Sequence, residues 1–359
     1  MKVLVISKTI TNAGDYLFAD RMMKILRREY PGYEFIYNNG SQIVEEEVLD
    51  KLDRIIISGG PGYDSRLMSY GNLPFLHKVF SKEKKVSIIG MGCYGSALDD
   101  SEIYEHLFSN ETIEILKRIE DGGGVLGTRD YVTSKILKKN GFSKVLMTGC
   151  PAWYDLDYMF GNCADRERTN IKNIIISDPG LTKKQSEQIP RAMQAIKVVD
   201  YVKNRFPYAN ITFTFNGGIR TKYSRECNEI IEDYLKQNGI EYHDISGNSS
   251  GFGIYNNTDL HIGFRVHSHI YCLSRRIPTV LIEEDIRGYG VNDVLGLEHI
   301  ANSCNSDGEF AENKYLIDKI DDAVARLLQS EFWDGDRAYE SIKHYYKKGM
   351  KVALKEALQ

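Results

Sequence analysis

No run of about 18 apolar residues occurs in the 359-residue sequence, so no membrane-spanning helix is expected, although peripheral contact with a bilayer stays open. The apolar stretch Met1 to Ile6 is too short for a secretory h-region and Lys8 follows at once, so no signal peptide is expected. The six cysteines, at positions 93, 150, 163, 227, 272 and 304, include no C-x-x-C pair. That spacing removes the familiar zinc and dithiol redox motifs, and the cysteines read as free thiols in a reducing cytoplasm. With 46 basic and 50 acidic residues the formal net charge is -4, which provides no global pull toward nucleic acid. No internal repeat or low-complexity tract appears, and no glycine-rich segment matches a Walker loop or the full dinucleotide fingerprint.

The remaining composition is that of an ordinary globular protein, 42% hydrophobic and 27% charged, which excludes disorder, collagen and a membrane channel. The 23 tyrosines suit sugar stacking and ordinary surfaces equally and decide nothing. The length points to two packed domains.

Short apolar runs alternate with amphipathic stretches, the pattern of a parallel sheet with crossover helices. Strands are predicted over 2–6, 54–58, 86–90, 124–127 and 144–148, with helices over 15–30, 45–52, 111–119 and 131–140. The alternation restarts after the polar stretch Gly161 to Asn170, read as a linker, with strands over 173–177, 211–215, 260–264 and 279–282. Helices are predicted there over 183–205, 224–238 and 266–275, with closing helices over 315–328 and 337–358. The expectation is an α/β protein of two doubly wound, Rossmann-like domains, 1–165 and 166–330, with a C-terminal helical segment, 331–359, packing across them. Two such domains place the carboxyl ends of both sheets around one cleft, a glycosyltransferase-B-like plan.

Candidate site residues fall at strand exits. In Thr11-Asn12-Ala13-Gly14-Asp15, Gly14 lets a ligand approach the backbone and the helix start offers N–H groups, while Asn12 or Asp15 equally suits a helix cap. The turn Ser58-Gly59-Gly60-Pro61-Gly62-Tyr63-Asp64 and the stretch Gly90-Met91-Gly92-Cys93-Tyr94-Gly95 clear space for a ligand or simply make tight turns. Arg129 suits a carboxylate or phosphate, or pairs with Asp130 to fix its turn, and Ser134 follows one helical turn on. The segment Asp259 to His269 delivers Arg265 and His267 at a strand exit, an anion ligand beside a proton-transfer group. A structurally satisfied imidazole is the competing reading of His267. His261, His267 and His269 do not make a metal site, because 267 and 269 point apart on a helix and no ligand stands at familiar spacing. The turn Ser177-Asp178-Pro179-Gly180 and the loop Phe215 to Arg220 should face the same cleft, with Arg220 a second anion ligand unless it is solvated.

With these residues in place, the sequence resembles the polysaccharide pyruvyl transferase family. The likeness runs from Asn12-x-Gly14-Asp15 through Gly59-Gly60, Arg129-Asp130-x-x-x-Ser134 and Thr148-Gly149-Cys150-Pro151-Ala152 to Arg265-Val266-His267, its most specific block, and on to Ile277-Pro278 and Gly296-Leu297. The resemblance implies transfer of pyruvate from phosphoenolpyruvate to two hydroxyls of a saccharide acceptor, lipid-linked acceptors included. The products would be a cyclic ketal and phosphate, in bacterial capsule, exopolysaccharide or secondary cell-wall polymer synthesis. It implies an acceptor side in the first domain, a donor side in the second, work in the cytoplasm or at the inner membrane face, and no cofactor. On that reading Arg265 and Arg220 hold the donor, His267 is the general acid or base, and Asn12, Gly14, Asp15, Gly59, Gly60, Arg129, Glu283 and Arg287 line the acceptor side or cleft. Cys150 stands where the family commonly has Asp, Arg287 where Lys is common and Glu283 where an aromatic residue is frequent. The changes from Glu283 to Arg287 bear on the acceptor or on the donor's identity. Two other readings stay open: a glycosyltransferase using a nucleotide sugar, sialyltransferase-like, and a saccharide-binding subunit without catalysis.

Overall fold

The computed structural model describes residues 1–40, 44–63, 79–80, 82–93, 95, 108–161, 171–302, 310–329 and 333–359. The linker read at Gly161 to Asn170 is, apart from Gly161, outside these residues, as are Asp64, Tyr94, Cys163 and Cys304. Two parallel sheets organise the chain. The first contains β1 (Lys2–Ile6), β2 (Glu34–Asn38), β3 (Arg54–Ser58), β4 (Lys85–Met91), β5 (Leu126–Thr128) and β6 (Val145–Met147), in the order β2-β1-β3-β4-β5-β6. The second contains β7 (Asn173–Ser177), β8 (Asn210–Phe215), β9 (Glu241–Asp244), β10 (Leu260–Gly263) and β11 (Thr279–Leu281), in the order β11-β10-β7-β8-β9. The central strands β1 and β7 read Lys-Val-Leu-Val-Ile and Asn-Ile-Ile-Ile-Ser, near-continuous apolar runs that a sheet covered on both faces requires. Every pairing among these strands is parallel, so all strands of a sheet end on one side.

Each predicted strand is present within a few residues of its expected ends. Two further strands, β2 and β9, carried no readable pattern. Their sequences, Glu-Phe-Ile-Tyr-Asn and Glu-Tyr-His-Asp, are half polar because both strands lie at sheet edges and only partly face the core.

The two halves share an apolar cluster. Phe18, Met22 and Ile25 of the first helix (Ala13–Glu29) pack in one buried group with Ile270 and Tyr271 of the helix Val266–Ser274 and Leu295 of the helix Ile286–Leu295. A buried ion-pair group crosses the same interface. Arg21 pairs with Asp155 at 3.0 Å and donates to Ser274 Oγ at 3.0 Å and to the Ala152 carbonyl, while Asp155 also accepts from Arg275 Nε at 2.7 Å. Main-chain bonds join the halves near the cleft, from Ala13 N to the Asn216 carbonyl (2.9 Å) and from Gly247 N to the Thr11 carbonyl (2.7 Å).

The C-terminal segment, expected as one helix, is three pieces. Trp333–Tyr345 packs on Val266–Ser274 and Ile286–Leu295, a π turn spans Tyr346–Met350, and Lys351–Leu358 packs on β3 and β4. The π turn sits where the chain meets β6: a Cβ on Gly349 would stand 2.3 Å from the Met147 carbonyl oxygen, so only glycine allows this approach. No helix of the described residues is long and apolar enough to cross a membrane.

Candidate active site

Four helices begin at the mouths of strands and aim their N-termini into one cleft between the sheets. The first helix is capped by Asn12, whose Oδ1 accepts from Gly14 N at 3.1 Å. The helix Tyr131–Lys139 is capped by Asp130, which accepts from Thr133 N at 2.7 Å, and Ile286–Leu295 by Asp285, which accepts from Arg287 N at 2.9 Å. Val266–Ser274 starts directly after Arg265 without a side-chain cap. The first-turn N–H groups of the first helix and of Ile286–Leu295 are already engaged, Ala13 N by the Asn216 carbonyl and Ile286 N by the Gly95 carbonyl among them, so what these ends bring to the cleft is the positive pole of the helix dipole, a setting that favours anions.

The cleft is lined by Asn12, Asp15, Pro61 and Arg129 from the first half and by Gly180, Asn216, Phe264 to His267, Glu284 and Arg287 from the second. Three of these are arginines, and each is braced by a carboxylate. Arg265 gives its Nε to Asp178 Oδ1 (2.7 Å) and one Nη to Oδ2 (2.5 Å), Arg287 holds Asp285 through Nε and Nη2, and Arg129 Nε bonds Asp130 Oδ2 at 3.2 Å. Asp178 is in turn fixed by Asn216 N at 3.0 Å. A guanidinium held along one edge by a buried carboxylate keeps its plane fixed and retains N–H groups for a ligand. Arg129 is admitted only because position 92 is glycine: a Cβ there would stand 2.1 Å from its Nε.

His267 enters the cleft from the second half and meets the first half directly, since a Cβ on Gly14 would lie 2.1 Å from its Nδ1. Burial, reinforced by the positive charges of Arg129, Arg287 and Arg265, lowers its pKa to about 3. The imidazole is therefore neutral at physiological pH and does not arrive carrying a proton. Asp15 moves the other way. Burial raises its pKa to about 7, against the opposing pull of Arg287, Lys8 and Arg265.

Several expected positions are elsewhere. Arg220 is exposed and pairs with Glu232 at 2.7 Å and Glu229 at 3.8 Å, outside the cleft lining, because its loop turns the side chain back toward the helix Arg225–Gln237. Glu283 is buried behind the cleft, accepting from Asn292 Nδ2 (2.7 Å) and bonded to His299 Nδ1 (2.8 Å); its neighbour Glu284 faces the cleft and pairs with Arg191 at 2.5 Å. Gly59 and Gly60 also stay behind the surface and make the turn that presents Pro61. Both have positive φ, Gly59 N donates to the Ile89 carbonyl, and a Cβ on Gly59 would strike Phe18.

His261 and His269 both bond Thr279 Oγ1 at 2.8 Å, and His261 Nε2 bonds Ser177 Oγ at 2.9 Å, whose oxygen also accepts from Arg265 N at 3.2 Å. They form a polar support beneath Arg265, while His267 stands apart in the cleft. Cys150 lies in the shared apolar cluster, and burial pushes its thiol up to about 11, which suits packing rather than attack. Glu284 and Asp285 went unassigned in sequence because a run of three carboxylates does not reveal which faces inward. Their signal was position: they follow β11 and precede a helix, where a cap is needed.

Two parallel-sheet domains facing one cleft define a fold of the GT-B class. The family model for polysaccharide pyruvyl transferase matches residues 12–286, and the chain belongs to that family. A search among curated proteins gives no match. Among solved structures the chain is similar in fold to one described as trehalose-6-phosphate from E. coli bound with UDP-2-fluoro glucose, at TM-score 0.57 and 12% identity over 100% of this chain and 99% of that one. It is similar to UDP-GlcNAc 2-epimerase from Neisseria meningitidis bound to UDP-GlcNAc, at TM-score 0.54 and 10% identity over 100% of both chains. It is also similar to S. aureus MnaA with UDP, at TM-score 0.53 and 13% identity over 95% and 90%.

Proposed function

We propose that the protein transfers the pyruvyl group of phosphoenolpyruvate to two hydroxyls of a saccharide in bacterial polysaccharide synthesis, releasing phosphate and leaving a cyclic ketal. The observation that carries this reading is the convergence of Arg129, Arg265 and Arg287 with four helix N-termini in one interdomain cleft. A donor bearing a carboxylate and a phosphate on the same carbon needs two anion sites side by side, and planar guanidiniums supply them with directional bonds. Arg265, Arg287 and Arg129 take the donor in this proposal, in place of Arg220. Asn12 and Asp15, on the first half, face the saccharide.

The reaction requires protonation of the enol carbon, addition of a hydroxyl to the adjacent carbon, loss of phosphate and closure by the second hydroxyl. Positive charge that develops on the central carbon is offset by the donor's own carboxylate, and the arginines stabilise the departing phosphate. A neutral His267 serves as base toward a hydroxyl.

Calorimetric titration with phosphoenolpyruvate and, separately, with UDP-, GDP- and CMP-sugars tests the donor. Saturable binding of phosphoenolpyruvate is expected, at least tenfold weaker in Arg287→Ala and within about twofold in Arg220→Ala. Binding of a nucleotide sugar alone would replace this reading with the glycosyltransferase one, which the nucleotide-bound structures of like fold make the natural competitor.

A further inference from the structure

The charged groups of the cleft are almost all committed to one another. Arg129 is matched with Asp130, Arg265 with Asp178, Arg287 with Asp285, and Glu284 with Arg191 and the Gly180 N–H. Asp15 is different. Its carboxyl lines the same cleft yet makes no hydrogen bond or ion pair among the described residues. It is also released from the duty its position suggests. Asp15 is the third residue of the first helix, where a carboxylate often reaches back to complete a cap, but Asn12 caps this helix through Gly14 N, and Asp15 contributes only its main-chain N–H, to the Asn12 carbonyl at 3.0 Å. The residue before it, Gly14, lies against the His267 ring. The cleft's uncommitted carboxyl and its uncommitted imidazole thus come from opposite halves of the protein and meet at one helix start.

We propose that Asp15 is the catalytic acid that protonates the enol carbon of the donor, working with His267 as a two-group proton relay. This rests on the pyruvyl-transfer reading above. The Asp15 carboxylic acid gives its proton to C3 of phosphoenolpyruvate, turning CH2 into CH3 and leaving C2 electron-poor. The first sugar hydroxyl bonds to C2 and passes its proton to His267. The C2–O bond to phosphorus then breaks, and phosphate leaves with the proton from the imidazolium. The second hydroxyl bonds to C2 and its proton returns to Asp15. Two hydroxyl protons are consumed, one ending in the methyl group and one on phosphate. Both residues return to their starting states, so the cycle needs no oxidant, reductant or cofactor.

The electrostatics agree with this division. Asp15 faces Lys8 and Tyr37 on its own half and Arg265, His267 and Arg287 on the other; its pKa near 7 leaves a large fraction protonated at neutral pH. His267, lowered to about 3, waits as the unprotonated partner.

The test follows exchange of the C3 hydrogens of phosphoenolpyruvate with D2O by NMR, with a methyl hexoside carrying free 4- and 6-hydroxyls present, alongside calorimetric binding of phosphoenolpyruvate. Wild type is expected to bind and to exchange. Asp15→Asn should bind within about threefold and exchange at least 100-fold more slowly, and Asp15→Glu should recover part of the loss. Exchange by Asp15→Asn within threefold of wild type, or binding without any exchange in wild type, would overturn the role of Asp15. Failure of wild type to bind phosphoenolpyruvate would instead overturn the pyruvyl reading itself.

Discussion

Gly14 and His267 touch across the domain interface so closely that a methyl group on the glycine would stand 2.1 Å from the imidazole Nδ1. Gly14 lies within the first helix, where glycine is the weaker helix former by about 1 kcal/mol relative to alanine, so its presence is explained by the ring and not by the backbone. Gly14→Ala should destabilise the protein by about 1–3 kcal/mol and lower turnover, because the ring or the helix must shift. In a His267→Ala background the same change should be neutral or stabilising by up to about 1 kcal/mol. Urea unfolding of the four proteins in this cycle checks the claim, and an equal cost in both backgrounds would refute it.

The stretch Gly90 to Gly95 contains two glycines with opposite expected behaviour. A Cβ at Gly92 would stand 2.1 Å from Arg129 Nε, whereas one at Gly95 would meet, among the described residues, Ile286 Cγ2 at 3.8 Å, an ordinary contact. Gly92→Ala should therefore displace the Arg129 guanidinium and weaken phosphoenolpyruvate binding roughly tenfold, a loss of about 1.4 kcal/mol. Gly95→Ala should leave it within about twofold. Titration of both variants decides whether the glycines serve the arginine or merely the turn.

The same contrast explains which parts of the molecule were legible in the sequence. Central strands such as β7 are apolar throughout because both faces are covered, and their pattern is plain; the edge strands β2 and β9 lack it because water meets part of them. The block Arg265-Val266-His267 could be read because a strand exit restricts where its side chains go. Arg220 and Glu283 could not be assigned by the same logic, since a loop lets an arginine fold back on Glu232 and adjacent carboxylates differ only in which side of the chain they take. The pairing of each cleft arginine with its own carboxylate is a long-range fact in the case of Arg265 and Asp178, 87 residues apart.

Arg21 and Asp155 gave no signal in sequence, yet they tie the halves together in a buried group with Arg275 and Ser274. Removing Arg21 leaves Asp155 with Arg275 alone and takes the donor from the buried Ala152 carbonyl and Ser274 hydroxyl, so Arg21→Met is expected to cost about 2–4 kcal/mol. The exposed pair of Lys24 and Asp20, on the same helix, should contribute less than about 1 kcal/mol. Chemical denaturation of Arg21→Met and Lys24→Met separates the two, and similar stabilities would show that the buried group is not structural.

Acid should destabilise the fold through its histidines. Burial lowers His269 and His267 to about 3 and lowers His261 well below the ordinary value. In the unfolded chain each binds a proton near pH 6.5, so below that point the unfolded state holds more protons and stability falls as pH drops. Asp15 and Glu284 oppose this. Their raised values let the folded state take up protons first, and they favour folding as pH falls toward the ordinary carboxylate value, Asp15 from about 7 downward. The lowered Asp155 and Asp285 add to the histidine effect at more acidic pH, losing their contribution as they protonate. With the fully buried His261 and His269 dominating, unfolding free energy should fall by roughly 1–3 kcal/mol per pH unit between pH 6 and about 4.5. Asp15→Asn deletes one opposing group and should make the dependence steeper. Urea unfolding of wild type and this variant across that range measures both slopes: a flat wild-type profile would contradict the buried neutral histidines, and an unchanged slope in Asp15→Asn would contradict the elevated carboxyl.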